Sequence, residues 1–574
     1  MTKTDSSNDF PSILALQLIL LPLVILTISV LCFMAGFPVN GIIFPLALGV
    51  TVGISLIPLK RGSKRPLLKA TAVFIILITV SFLISATVYD FSWDGQVYHQ
   101  AAVILLEKGW NPFYYNFLGA QDYRFWKAAG DAGPIIEHYS KASWILAASV
   151  YTFTGSLEGG KMFHFLFMAA VFLSALEFLS FLKRIRGTAK FIIAALAALN
   201  PVSLYQVSSF YNDGLLASML TILMLSALRY IMFDDGRALF IMAIIIPTLV
   251  NIKFTGLAYS GVVLALTGAA VGIAGRIPRK RFIVSIGAAF LFAVGFIGFQ
   301  PYITNIIHKG NPFYPVYRLG ESEKGAPNNI EIGQAPAAFM NQNRFVKLGY
   351  SLFSYACNDI EKMPRLKIPF YVASWEIPPL GYTDVRYSGF GPLFGSALIL
   401  VIIGAGVAAL KSKRIILIYS STAAAVILIS ALINPEAWWA RLSPQLWLLP
   451  LVFIIASYYR RKNKFLRYLR NFVIAVLIID CFIIMGRYSK FNLELNGLFK
   501  DQMRRMARIS HISNTRYLVA PYNSYLSTER RLNTFHVRYK MVEKLEPRHA
   551  TPIVGAIGAK FAIEGNRPAA RGAN

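Results

Sequence analysis

Apolar stretches of about 18–22 residues recur along the chain, and most are long enough to cross the hydrocarbon core of a bilayer as one helix. About thirteen spans follow from this pattern, at 12–35, 41–58, 69–88, 160–182, 188–205, 213–232, 237–251, 255–275, 282–300, 390–410, 414–433, 444–459 and 470–486. A further apolar run, Ala142–Phe153, is about 12 residues long, short of the roughly 17 that a span needs. It is predicted, as part of 136–155 and together with the helical pattern at 96–108, to lie along or dip into the outer membrane face. Two long loops remain, 89–159 and 301–389. After 486 the pattern changes: short β-prone runs, Arg516–Ala520 and Phe535–Tyr539, alternate with charges. The expected fold is an all-α polytopic membrane domain over 1–486, with outer juxtamembrane helices and a small basic α/β segment over 487–574.

Composition agrees with this reading. Of 574 residues, 56% are hydrophobic and 15% charged, against roughly 25% charged in soluble domains. The first nine residues are polar and the first apolar run is too long for the core of a cleavable signal, so none is expected. Three cysteines give no disulfide framework, and no Cys/His spacing suggests zinc.

A net charge of +29 invites a nucleic-acid partner, but its placement argues against one. Much of the Lys and Arg falls in short loops, at Lys60–Arg65, Lys183–Arg186, Arg276–Arg281, Lys411–Arg414 and Arg460–Arg470, as the positive-inside rule expects of cytoplasmic turns. The N-terminus is then inside and both long loops and the C-terminal tail are outside. Reading Ala142–Phe153 as a span would invert every later loop. The tail holds sixteen Lys and Arg against six Asp and Glu, which strains the rule, although long segments cross largely regardless of charge. No Asn-x-Ser/Thr acceptor occurs, in keeping with a bacterial plasma membrane.

The candidate chemistry collects on the outer side. Asp90 and Asp94 lie in Tyr89–Asp94 just beyond the third span, four residues apart and so on one face of any helical turn. Trp93, Tyr98, His99 and Trp110 follow. Tyr211 and Asp213 sit at the mouth of the sixth span, Lys253 in the turn after the seventh, Asp384 and Arg386 before the tenth, and Arg441 before the twelfth. Cations near helix ends snorkel and aromatics form interfacial belts, but snorkelling does not favour acids. A carboxylate can take a proton from an acceptor hydroxyl, while Arg and Lys hold a phosphate and stabilise it as it leaves. Two similar segments, Gly109–Tyr114 and Gly310–Pro315, are either matching Asn-Pro turns or share a binding role.

From about residue 69 to 460 the chain resembles the GT-C superfamily of integral-membrane glycosyltransferases. The resemblance rests on Asp90 and Asp94 with the helices after them, Tyr211-Asn212-Asp213, the Lys253 turn, Trp439-Ala440-Arg441 and the run Gly389–Phe394. One departure is that the acidic loop follows the third span rather than the first. The resemblance implies transfer of a sugar from a polyprenyl-phosphate donor to a hydroxyl of a glycan or lipid acceptor outside the cytoplasm, with inversion at the anomeric carbon. It gives Asp94 or Asp90 as general base, with Asp94 preferred because it starts the surface helix. Asp213 orients the acceptor or shares a metal with the first acids. Lys253, Arg386 and Arg441 hold the donor phosphate. Trp93, Tyr98, His99, Trp110, Tyr211, Asp384 and Trp438 are expected against substrate or at the interface. No outer loop contains DxD, so no metal is expected, and a divalent cation stays open. Two alternatives remain: a polysaccharide polymerase or ligase using a polyprenyl-diphosphate oligosaccharide, and a transporter or flippase of lipid-linked substrates. Glu177 and Asp480, within spans and lacking an obvious partner in sequence, bear on the latter.

Overall fold

The computed structural model describes residues 10–56, 64–114, 132–274, 279–314, 336, 339, 341–359, 361, 363–411, 414–460, 463–521, 525–547 and 550–564. The basic stretches at 60–63, 275–278, 412–413 and 461–462, Pro315 of the second Asn-Pro segment, and 565–574 of the tail lie outside the described residues.

Among the described residues, eight helices are long and apolar enough to cross a membrane: Phe10–Met34, Arg65–Thr87, Glu158–Phe181, Asp213–Phe233, Phe254–Ile273, Lys280–Ile297, Arg414–Leu432 and Lys464–Ile512. Four shorter apolar helices, Ile43–Leu56, Thr188–Ala198, Gly236–Ile252 and Phe394–Ala409, pack among them. Apart from a small sheet past Ile512, the chain is an all-α, multi-pass membrane protein.

Several predicted spans prove to be broken or extended. The run 188–205 divides into Thr188–Ala198 and Pro201–Gln206. Asn200 precedes a proline, which disfavours helical backbone, and its side chain caps the second piece by accepting from the Val202 amide at 3.1 Å. The run 282–300 passes from α-helix into two wide turns, Ala293–Ile297 and Phe299–Ile303, with Gln300 non-helical ahead of Pro301. The run 444–459 opens with a 3₁₀ turn, Pro444–Trp447, before its α-helix Leu448–Ser457. The run 470–486 is the middle of one continuous 49-residue helix, about 74 Å long at 1.5 Å per residue.

The two surface helices exist, but protein rather than lipid covers them. Gln100–Glu107 packs against Ala142–Thr154, which in turn lies on the first two helices. Ala101–Leu106 and Trp144–Tyr151 are almost wholly buried. An apolar run of this length reads alike whether its cover is lipid or protein, and here the cover is protein.

The two intramembrane acids have partners. Glu177 pairs with Arg229 at 2.9 Å and Arg237 at 3.6 Å and accepts from the Ser12 hydroxyl at 3.0 Å. Asp480 accepts from the Leu393 amide at 2.7 Å, satisfying the start of the helix Phe394–Ala409. Both serve as structural ties between helices.

Past Ile512 the chain forms a four-stranded sheet in the order β2-β1-β4-β3, with β1 Tyr517–Ala520, β2 Tyr539–Met541, β3 Thr551–Pro552 and β4 Lys560–Ile563. β1 runs parallel to β2 and antiparallel to β4, and the helix Tyr525–Thr534 lies between β1 and β2 in sequence. Its core joins Tyr517, Val519, Leu532 and Val537 to Phe499, Met503 and Met506 of the long helix, with Tyr89 and Phe91 packed against it.

Candidate active site

Five chain segments meet at Arg441. The first is the start of the helical stretch after the third span. Residues 89–92 are not helical and helix begins at Trp93, so Asp90 and Asp94 do not share a helix face as predicted. Asp90 is 1% exposed, and its two carboxylate oxygens accept from the amides of Ser92 and Phe210, both at 2.8 Å. Asp94, with a side chain 22% exposed, faces Arg441 at 3.2 Å.

The second segment is the start of the helix Asp213–Phe233. Asp213 occupies its first position, where the unpaired amides of a helix N-terminus favour a carboxylate. It pairs with Lys253, accepts from the Gln206 amide at 3.3 Å and lies 3.9 Å from Arg441. The third segment is the turn that carries Lys253 in extended backbone between Gly236–Ile252 and Phe254–Ala274. Asn212 donates to the Ile252 carbonyl at 3.0 Å, binding this turn to the second segment.

The remaining two segments lock against each other. A Cβ on Gly389 would stand 2.8 Å from both the Ala440 Cβ and the Val385 carbonyl, so only glycine allows the 384–392 loop to approach the Arg441 turn this closely. Trp439 donates its indole N–H to Asp384 at 2.7 Å, and Asp384 lies 3.6 Å from Arg441. Arg386 stacks over Trp439 with its guanidinium carbon 3.8 Å from the ring centre. Arg441 covers the same indole at 4.1 Å and Tyr211 at 5.2 Å. Tyr259 and Asn434 hold the Arg441 turn from behind, through the Leu442 carbonyl and a 2.9 Å bond between them.

One guanidinium is therefore shared by three carboxylates from three separate elements. Burial opposes the charge on Arg441, but Asp384, Asp213 and Asp94 together hold it well above its ordinary value. Burial raises the Asp384 carboxyl above its usual range even though Arg441 and Arg386 pull it down. Arg386 is lowered by burial, with Asp384 opposing. Tyr98, Tyr139 and Tyr211 are raised by burial first and by the neighbouring acids second. His99 is 1% exposed. Its Nδ1 accepts the Trp144 indole N–H at 2.6 Å, and burial lowers its pKa to about 4. A ring neutral at physiological pH and accepting at Nδ1 carries its proton on Nε2. Among the described residues, Nε of Arg441 is buried and has no hydrogen-bond partner, which leaves a donor for a ligand.

Asp94, Asp213, Asp384, Lys253, Arg386, Arg441, Tyr211, Tyr98 and His99 thus come together. Asp90 sits behind the cluster as a structural tie. Trp110 is buried beneath Lys141, whose amine is 5.6 Å from the ring centre, and Trp93 is half exposed. Trp438 turns away to Phe339 and Tyr387 and donates to Glu436, so Trp439, not Trp438, is the indole at the charges. In the two Asn-Pro segments, the Asn111 and Asn311 side chains accept from the amides of Phe113 and Phe313, at 3.0 and 2.9 Å, and each segment forms the same local turn. Sequence reasoning missed Tyr139 and Trp144, whose membership depends on the fold of the first long loop.

Among the described residues, no group of three or more His, Cys, Asp and Glu is placed to hold a metal ion. The three carboxylates converge on a guanidinium instead.

No family model matches the chain, and no curated protein matches it. Among solved structures it is similar to ArnT from Cupriavidus metallidurans, whose crystal structure was determined bound to undecaprenyl phosphate. The TM-score is 0.41 and the identity 12%, with 83% of this chain and 86% of that chain covered.

Proposed function

We propose that the chain is a GT-C-type membrane glycosyltransferase that moves a sugar from a polyprenyl-phosphate donor to a hydroxyl of a glycan or lipid acceptor. The reaction runs on the extracytoplasmic face of a bacterial plasma membrane. The observation that carries this reading is the Arg441 guanidinium shared among Asp94, Asp384 and Asp213 at 3.2, 3.6 and 3.9 Å, with Lys253 and Arg386 beside it.

Such a cluster separates two jobs. Asp94, the most exposed of the three acids, takes the proton from the acceptor hydroxyl. The oxygen attacks the anomeric carbon from the face opposite the phosphate, the C–O bond to phosphate breaks, and the electron pair leaves on the phosphate oxygen. Arg386, Lys253 and Arg441 neutralise that charge as it develops, with the buried Nε of Arg441 available to the phosphate. As Arg441 turns to the phosphate, it releases Asp94 to face the acceptor hydroxyl. Asp213 keeps Lys253 in place, and Tyr98, His99, Tyr211 and Asp384 line the acceptor side.

The test is transfer in reconstituted membranes. Polyprenyl-monophosphate sugars and polyprenyl-diphosphate oligosaccharides are offered with membrane-extracted acceptors, and Asp94→Asn is compared with the native chain. Transfer from the monophosphate donor, lost in Asp94→Asn while donor binding persists, is the expected result. Use of the diphosphate oligosaccharide alone would replace this reading with a polymerase or ligase. Full activity of Asp94→Asn would remove the base.

A further inference from the structure

The loop that bears Asp94 is gripped from outside the bundle by residues more than four hundred positions away. Arg531, on the helix Tyr525–Thr534, is 3% exposed. It donates to the Asp90 carbonyl, to Oε1 of Gln96 at 3.1 Å and to the Gly555 carbonyl at 3.3 Å. Its guanidinium lies within about 6 Å of the rings of Tyr89, Phe91 and Phe499. Gln96 in turn donates to the Gly555 carbonyl at 2.9 Å and accepts from the Ile557 amide at 3.2 Å, while its own carbonyl accepts from Ser527 at 3.2 Å. From the bundle side, Glu158 accepts from the Asp90 amide at 3.1 Å, and the Asp90 carboxylate is fixed by Ser92 and Phe210.

Asp94 therefore sits on a seven-residue stretch, Asp90–Gln96, pinned at both ends. Position 90 is held through its amide, carbonyl and carboxylate, and position 96 through its carbonyl and both ends of its side chain. Among the described residues no carboxylate lies within ion-pairing distance of Arg531. Burying a guanidinium against carbonyls and rings carries a desolvation cost that a hydrophobic side chain would not incur. A residue needed only to fill the core would not be an arginine. Its planar fork is what lets one side chain reach Asp90, Gln96 and Gly555 together.

We propose that the segment after Ile512 is a clamp that sets the position of Asp94, with Arg531 and Gln96 as its positioning residues. The role assigned to Asp94 rests on the glycosyltransferase reading, whereas the mechanical claim does not. The clamp accounts for the attachment of a small α/β unit to a membrane bundle.

The experiment uses the full chain in lipid nanodiscs, as native protein, Arg531→Ala, Arg531→Lys, Gln96→Leu and Gln96→Glu. Amide hydrogen exchange is followed over 90–99, with 208–214, 384–390 and β1 as internal references. Arg531→Ala and Gln96→Leu should raise exchange over 90–99 by about tenfold or more, leaving the references unchanged. Gln96→Glu, which keeps the acceptor for Arg531 and the Ile557 amide but loses the donor to the Gly555 carbonyl, should fall between native and Gln96→Leu. Arg531→Lys should behave like Arg531→Ala, because an ammonium cannot reach three acceptors in one plane. Native exchange over 90–99 in both Arg531→Ala and Gln96→Leu would overturn the proposal. If Arg531→Ala also loosens β1, Gln96→Leu decides alone, since its side chain lies outside the sheet. Transfer from a polyprenyl-monophosphate sugar is a separate arm. There turnover should fall about 10–100-fold in Gln96→Leu with donor KM nearly unchanged, as for a misplaced catalytic group. A native chain that transfers nothing, with the exchange pattern as expected, counts against the glycosyltransferase reading and leaves the clamp standing.

Discussion

Replacing Arg441 by methionine removes the one cation common to three acids and keeps most of the side-chain volume. Contacts of 3.2, 3.6 and 3.9 Å are each worth about 4–5 kcal/mol at an effective dielectric constant of about 20, before desolvation. Withdrawing the guanidinium from water consumes most of that sum, and partial exposure screens more. The net loss should be about 3–5 kcal/mol, the usual result of leaving buried carboxylates without their partner. The loss should also depend on pH in a definite sense. Burial already holds Asp384 above its ordinary value while Arg441 pulls it down, so in Arg441→Met it climbs further. A carboxyl with its folded pKa above its unfolded one destabilises the fold at higher pH. That cost fades as pH falls through the folded pKa and is gone below the unfolded value of about 3.9. Denaturant unfolding of the detergent-solubilised protein at pH 7.5 and near pH 4 should thus show a full deficit at the first and a much smaller one at the second. Arg441→Met/Asp384→Asn should recover at least about 1 kcal/mol at pH 7.5, a coupling typical of groups in contact. A deficit equal at both pH values, or no recovery in the double variant, would refute the shared-cation picture.

Three further outcomes are expected. Asp90→Asn should lower stability by about 1–3 kcal/mol, because an amide N–H₂ must face one of the two backbone amides that the carboxylate now accepts; an unchanged unfolding midpoint would return Asp90 to the list of candidate bases. His99, lowered to about 4 by burial, binds its proton less readily folded than unfolded, so the native chain should lose stability as pH falls from about 6.5 to 4. Substituting His99→Gln should reduce that slope by about 1.4 kcal/mol per pH unit, read from unfolding midpoints across the window. Gly389→Ala, whose methyl would meet Ala440 and the Val385 carbonyl at 2.8 Å, should cost about 1–3 kcal/mol through overpacking and depress transfer; native activity and stability would show that the two loops can part without consequence.

The apolar pattern located the membrane helices because a bilayer admits few alternatives to a long apolar helix. It also exposed Asp94, Asp213, Lys253, Asp384, Arg386 and Arg441, since charged groups at the ends of apolar runs stand out wherever everything else is hydrocarbon. The choice between Asp90 and Asp94 was not legible. A spacing of four implies a shared face only if the backbone is helical, and here helix begins three residues after Asp90. The helices at 100–107 and 142–154 were legible as helices but not as buried ones, because each helps to cover the other, and further cover comes from the helix Tyr525–Thr534 for the first and from the first two helices for the second. Trp438 and Trp439 stack with ring centres 5.7 Å apart, and only their N–H partners, Glu436 and Asp384, distinguish the indole at the charges; nothing in the sequence of the pair reveals which acid each reaches. Arg531 and Gln96 left no signal at all: their partnership exists only through the return of the chain after Ile512.

The unbroken helix Lys464–Ile512 is also a lever. Its membrane stretch answers to bilayer thickness, since a spanning helix in a thinner or thicker bilayer adjusts its tilt. Its outer stretch carries Phe499 and Met503, which pack with Tyr89 and Phe91 in one core. With no turn between the two, a tilt imposed in the lipid is carried to the residues beside Asp90 with nothing to absorb it. A change in bilayer thickness should therefore register as a change in the packing of Phe499 and Met503 on Tyr89 and Phe91.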